Sequence, residues 1–237
     1  MLDKRCDEVA AALAGIGDGA TVMVSGFGEA GRANMLLAGL LESGVRDLQV
    51  ISNNPGEGRS GLAVLFLAGR VRKLTCSFPR GAMGAEVERQ VAAGRLELEV
   101  LPQGTLAERI RAAGAGIGAF FTPTSYGTEV AAGKETRIIE GRGYVLEYAL
   151  HADLAVVKAR QGDRWGNLTY DKLARNFGPI MCTAAARTLV EVDEIVELGA
   201  LSPEAVVTPG IFVDALLQTR PVAEARWEAA LAEGVPA

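Results

Sequence analysis

In "TVMVSGFGEAGR", Thr21 to Arg32, an apolar run meets three glycines spaced G-x-G-x-x-G, at Gly26, Gly28 and Gly31. Val22, Met23 and Val24 are apolar at consecutive positions, which reads as a strand buried on both faces. The glycines read as a tight turn into a helix, because glycine takes left-handed conformations without a steric penalty. Strand, glycine turn and helix together open a βαβ unit. In dinucleotide-binding folds that spacing brings the backbone close to a pyrophosphate at a helix N-terminus.

The same rhythm continues outward from this stretch. Strand-like "LQVISN", "VRKLTCSF" and "LELEVLP" alternate with helix-length "NMLLAGLLESG", "GLAVLFLAG" and "AEVERQVAAG". Each helical segment ends at or near a glycine, Gly44, Gly69 or Gly94, the residue best suited to a left-handed C-terminal cap. The pattern predicts an α/β fold: a mainly parallel sheet, its strands apolar on both faces, flanked by helices. From about Thr122 to His151 turn signals are frequent and helical period is lost, so a β-rich insertion is expected there. The sheet then resumes with strand "ADLAVVKA", turn "GDRWGNLTY", helix "GPIMCTAAARTLV" and strand "EVDEIVEL". With no linker or internal repeat, residues 1–237 read as a single domain. Its tail diverges from about Asp214, and within it "VAEARWEAALAEG" has helical composition.

Composition narrows the function classes. Hydrophobic residues make up 49% of the chain against 22% charged, which excludes a disordered protein. The net charge of -5 is spread without a basic block, so neither nucleic acid nor a membrane surface is an expected partner. The N-terminal residues lack a signal-peptide or spanning pattern, and the expected location is the cytoplasm. Cys6, Cys76 and Cys182 are far apart without C-x-x-C spacing, which predicts buried free thiols rather than disulfides or zinc. His151 is the only histidine, so a His-rich metal site is excluded within this chain; a core or hydrogen-bonded imidazole is expected, and no metal.

A dinucleotide site also needs an acidic residue at the end of the second strand, for the ribose hydroxyls. That strand ends in Ser52, Asn53 and Asn54, with Glu57 and Arg59 only in the following loop. An NADP-dependent oxidoreductase is therefore a weakened alternative. Polar, glycine-rich turns nevertheless follow one predicted strand after another: "GFGEAG", "VISNNPG", "CSFPR" and "LPQGT". In a parallel sheet those ends share one edge, where open α/β folds collect ligands.

Seven segments, in order, carry a family resemblance: "DGATVMVSGFGEAG", "LQVISNNPG", "KLTCSFPR", "PQGTLAERIRAAGAGIGAFFTPTSYGT", "GKETRIIEGRGYVLEYALHADLAVVKA", "GDRWGNLTYDKLARNFGPIM" and "VVTPGIFV". Over roughly Cys6 to Val213 the chain resembles the A (alpha) subunit of the family I coenzyme A transferases. Two departures stand out: Ser25 replaces the first glycine of the family's usual G-G-F, and Arg32-Ala33 follows the third glycine where a proline is usual. The resemblance implies a Rossmann-like CoA-transferase fold and half of a two-subunit enzyme. Such an enzyme passes CoA from succinyl-CoA to a 3-oxoacid through a glutamyl-CoA thioester on the B (beta) subunit. The implied acceptor is 3-oxoadipate, in the beta-ketoadipate route of aromatic catabolism, with acetoacetate or acetate as alternatives. A non-catalytic CoA-binding protein is a further alternative, since the Ser-Glu-Asn-Gly motif that carries the glutamate in the B subunit is absent here.

Residue by residue, the resemblance implies CoA contact at Ser25, Gly26, Phe27, Gly28, Glu29, Ala30 and Gly31. It gives the substrate carboxylate to Asn53 and Asn54, whose amides donate hydrogen bonds without a formal charge. Gln103, in "LPQGT", is implied as the oxyanion donor. An uncharged amide suits that task because it donates without quenching the attacking carboxylate. No tightly bound cofactor is expected, the CoA thioester being a substrate. The expected partner is the B subunit of the CoA-transferase, in a heterodimer or heterotetramer.

Overall fold

The computed structural model describes residues 2–232. Helix α1 (Val9–Leu13) leads into β1 (Thr21–Val24), and α2 (Asn34–Glu42), β2 (Leu48–Ile51), α3 (Leu62–Leu67), β3 (Val71–Cys76), α4 (Gly84–Ala92), β4 (Glu97–Val100) and α5 (Gln103–Gly114) follow. Gly44, Gly69 and Gly94 take φ of 78°, 63° and 66° just past α2, α3 and α4, so each is the left-handed residue that stops its helix. The chain then makes β5 (Ala119–Thr122), β6 (Thr136–Ile139) and β7 (Arg142–Tyr148), followed by β8 (Ala152–Asp163) and the short β9 (Leu168–Thr169). It ends with α6 (Gly178–Ala184), β10 (Ala185–Val196), β11 (Ala215–Gln218) and α7 (Glu224–Ala232).

The main sheet has the order β11-β10-β8-β1-β2-β3-β4, with β9 hairpinned onto β8. Apart from that hairpin every pairing in it is parallel. From β1 the chain winds one way through β2, β3 and β4, then returns to the far side of β1 with β8, β10 and β11. The winding reverses at β1, where open α/β sheets leave a crevice beyond the strand ends. Both faces of the central strands are buried: Val22 and Val24 pack into one cluster with α2 and α3, Met23 into the other with α5 and α6. That is why Val22, Met23 and Val24 of β1 are apolar in succession.

The β-rich insertion is an antiparallel sheet, β5-β7-β6, and begins at Ala119 rather than Thr122. Arg109 of α5 ties it to the main body: it donates to the Tyr148 carbonyl at 2.7 Å and pairs with buried Glu147 at 3.8 Å, while Glu99 holds the same guanidinium at 2.8 Å.

Four sequence expectations need correction. The helix expected over "GPIMCTAAARTLV" stops at Ala184, and the rest is β10: Thr188, Leu189 and Val190 are flanked by strands on both sides, where burial favours extended backbone. The tail after Asp214 begins with a strand before its helix. Leu216 and Leu217 complete the sheet beside β10, and Cys6 N–H bonds the Leu216 carbonyl at 2.8 Å. Helix α7 then lies within the expected helical stretch, docked by buried Trp227 and an Arg226–Glu42 pair at 2.7 Å; the end of that stretch, residues 233–234, lies outside the described residues. Strand β4 is not apolar on both faces, because it is the sheet edge and exposes Glu97. His151 is exposed and makes no side-chain hydrogen bond among the described residues.

Cys76 and Cys182 are buried thiols, pushed up to about 12 by desolvation, while Cys6 is only partly covered. Among the described residues, no group of three or more His, Cys, Asp or Glu is arranged to hold a metal, and no helix is long and apolar enough to cross a membrane.

Candidate active site

Four neighbouring strands deliver their C-terminal ends to one cleft of about 440 Å³. Phe27 and Gly28 come from the turn after β1, Asn53, Asn54 and Glu57 from the turn after β2, Ser77 and Phe78 from beyond β3, and Gln103 from the start of α5, just past β4. Phe27 and Phe78, 43% and 54% exposed, give it aromatic walls. The cleft is sized for a small ligand and places a few polar groups against an apolar surface.

Asn53 is the hub of the polar floor. Its side-chain Oδ1 accepts from Gln103 Nε2 at 2.8 Å and from Ser77 Oγ at 2.7 Å, and its carbonyl accepts the Phe78 N–H at 2.9 Å. With Oδ1 taken twice, the Nδ2 hydrogens are what Asn53 can offer a ligand. Gln103 likewise spends one Nε2 hydrogen on Asn53 and keeps the other. Two amide donors thus sit side by side, oriented by their own hydrogen bond. Asn54, buried like Asn53, turns its Oδ1 to other partners: it accepts from the Gly56 N–H at 2.9 Å and from the Arg32 guanidinium.

The glycine turn is built from behind. Phe27 and Ala30 exchange backbone hydrogen bonds at 3.0 and 3.2 Å, closing a tight turn with Gly28 at φ 57°. Ser25 is fully buried, donating to the Gly31 carbonyl at 2.7 Å and accepting the Lys158 N–H at 3.1 Å. Asn176 accepts the Gly26 N–H at 3.0 Å and donates to the Ala30 carbonyl at 3.1 Å. At Gly31, φ is 77° and a Cβ would lie 2.6 Å from the Ala174 carbonyl oxygen, so no other residue fits. The amides of Gly28, Glu29 and Gly31 keep no internal partner among the described residues.

The cleft therefore gathers five of the residues singled out from sequence: Phe27, Gly28, Asn53, Asn54 and Gln103. Ser25, Gly26 and Gly31 are buried as the frame of the turn, and Glu29 and Ala30 lie outside the cleft lining. Sequence reasoning did not assign site roles to Ser77, Phe78 and Glu57. The first two carry a readable signal, since they follow β3 as Asn53 follows β2. Asn176 had none, being brought to the turn by contact across 146 residues of chain.

Around the turn the charges are coupled. Partial burial pushes the Glu29 carboxyl up from its ordinary value, Arg32 draws it back in part, and Glu57 adds to the rise. Arg32, 4% exposed, is pushed down by desolvation, against which Glu29 and Glu57 act.

The comparisons with known proteins agree with this geometry. The family described as Coenzyme A transferase matches residues 6–219. The chain is 59% identical over 213 residues to the A subunit of a 3-oxoadipate CoA-transferase of Pseudomonas putida, covering 90% of this chain and 92% of that one. It is 51% identical over 215 residues to the A subunit of a succinyl-CoA:3-ketoacid coenzyme A transferase of Xanthomonas campestris pv. campestris, covering 90% and 88%. Among solved structures, an acyl-CoA transferase from E. coli O157:H7 superposes with a TM-score of 0.78 at 20% identity, over 95% of this chain and 51% of that one. This chain thus spans about half the length of that structure. The family match over residues 6–219 and the identity to these relatives place the chain in the coenzyme A transferase family.

Proposed function

We propose that the chain is the A subunit of a two-subunit enzyme that transfers CoA from succinyl-CoA to a 3-oxoacid, with 3-oxoadipate as the favoured acceptor. In this reading the thioester carbonyl is attacked by a glutamate of the B subunit, and negative charge develops on the carbonyl oxygen at each acyl transfer. Gln103 faces that oxygen with its free Nε2 hydrogen. Asn53, locked to Gln103, holds a substrate carboxylate through Nδ2. The glycine turn forms the CoA side of the cleft, through backbone amides and the Phe27 ring rather than through a phosphate cradle, since Glu29 and Glu57 repel phosphate at close range.

The observation that carries the reading is the Gln103–Asn53 pair, two oriented amide donors in a cleft lined by one carboxylate, Glu57, which is exposed and among the described residues has no side-chain hydrogen bond to orient it for attack. The test is to co-express the chain with a partner that carries the Ser-Glu-Asn-Gly motif, and to measure CoA transfer from succinyl-CoA to 3-oxoadipate, acetoacetate and acetate. The expected result is transfer by the complex, fastest with 3-oxoadipate, and none by either chain alone. Transfer by this chain alone would refute the half-site and make Glu57 the candidate nucleophile. A complex that binds CoA without exchange would make it a binding protein. A preference for acetoacetate would give the acceptor of the 3-ketoacid relatives.

A further inference from the structure

We infer that Arg32 is a positioning residue for acceptor choice: a buried cation that clamps the glycine turn to the asparagine turn and biases the cleft toward doubly charged acids. The inference rests on the transferase reading above. Arg32 stands at one of the two places where the first motif departs from the family's usual pattern, and the structure shows what it does there.

The guanidinium bridges two walls of the cleft from behind. Its Nε donates to the Gly28 carbonyl at 2.9 Å, and its Nη2 donates to Asn54 Oδ1 and, at 3.4 Å, to the Asn54 carbonyl. Gly28 and Asn54 both line the cleft. The side chain reaches them by passing under Gly26, where a Cβ would lie 2.7 Å from Arg32 Cδ and Nε. Gly26 is therefore required for Arg32 as well as for the turn. The same Asn54 oxygen accepts the Gly56 N–H, so the clamp also sets the loop that carries Glu57.

Among the described residues no carboxylate forms an ion pair with Arg32, and its Nη1 makes no hydrogen bond. Only Glu29 and Glu57 act on it, at longer range. A hydrophobic side chain could fill the same space without the cost of desolvating an ion. What the guanidinium adds is a positive contribution to the field at the cleft wall, set against the negative charge of Glu29 and Glu57. That contribution acts on an anion in proportion to its charge, so it favours a dicarboxylate acceptor over a monocarboxylate beyond what the neutral amides of Asn53 and Gln103 provide.

The experiment compares the ratio of kcat/KM for 3-oxoadipate to that for acetoacetate, with succinyl-CoA as donor, in the assembled two-subunit enzyme. Arg32→Met is expected to lower that ratio about tenfold. Arg32→Lys, which keeps the charge but not the fork, should recover the ratio while leaving kcat for both acceptors depressed. Glu57→Gln, which removes an opposing charge from the cleft wall, should raise the ratio. Should Arg32→Met fail to assemble, Arg32→Gln, which keeps amide donors in the same space without the charge, takes its place with the same expected fall in the ratio. A ratio unchanged across the assembled variants, whatever their absolute rates, overturns the inference. A wild-type complex that transfers CoA to neither acid overturns the functional reading beneath it, and the inference falls with it.

Discussion

Gln103 shows how a single side chain acquires a direction. As the first residue of α5 it is anchored by the helix, and its bond to Asn53 removes the rotamer freedom an exposed amide would otherwise keep. An oxyanion donor held in this way contributes about 3 kcal/mol to the transition state. Gln103→Ala should therefore lower turnover by about a hundredfold with little change in KM, while the two-subunit complex still assembles; steady-state kinetics and size-exclusion chromatography check both halves. An unchanged turnover would remove Gln103 from the chemistry. Ser25 teaches the converse. A serine in a glycine-rich turn suggests a ligand contact, yet here both hydrogen-bonding capacities of the hydroxyl are spent on the turn's own backbone.

Helix α2 supplies the prediction at the scale of elements. It leaves the glycine turn with no side-chain cap of its own, and a carboxylate from β10 does that work: Glu191, 1% exposed, accepts the Leu36 N–H at 2.6 Å. Burial pushes this carboxyl up to about 7, against the opposing hydrogen bond from Leu36 and the charge of Lys158. The folded chain thus holds the proton more tightly than the unfolded chain. Its contribution to stability is complete below about pH 4.5 and is lost as the pH rises through about 7. Denaturant unfolding across that window should show the wild type losing up to about 3 kcal/mol relative to Glu191→Gln, whose amide can still accept from Leu36. Parallel pH profiles for the two proteins would show that Glu191 does not titrate in this range.

At the scale of the molecule, the sheet presents one working edge. The ends of β1 to β4 form the cleft, and the aromatic rings of Phe27 and Phe78 stand exposed at it. If the B subunit brings its glutamate to this cleft, hydrogen exchange in residues 26–31, 53–57 and 77–81 should slow on complex formation. Protection confined to the β5-β7-β6 sheet would place the seam elsewhere. The alternation of β1 through α5 was legible because a short run rich in apolar residues marks each strand and a glycine follows α2, α3 and α4, both local signals. β10 was misread because its first residues, Ala185 to Arg187, continue the alanine-rich composition of α6; its extended form comes from pairing with β8, 33 residues earlier in the chain.

The α/β class, the turns that punctuate it and the family are readable from the residues alone, since these rest on local periodicity, glycine placement and the order of motifs. The sequence also selected Asn53 and Gln103. Which of the marked residues line the cleft follows from the folded chain: it sets Asn53 and Gln103 side by side across 50 residues of chain and turns Ser25 inward. The fold alone shows that Arg32 runs beneath Gly26 to hold two loops, with no ion pair among the described residues. The physical reason is that a motif specifies backbone shape through nearby residues, whereas the direction of a side chain and the cost of its charge depend on what distant segments pack against it.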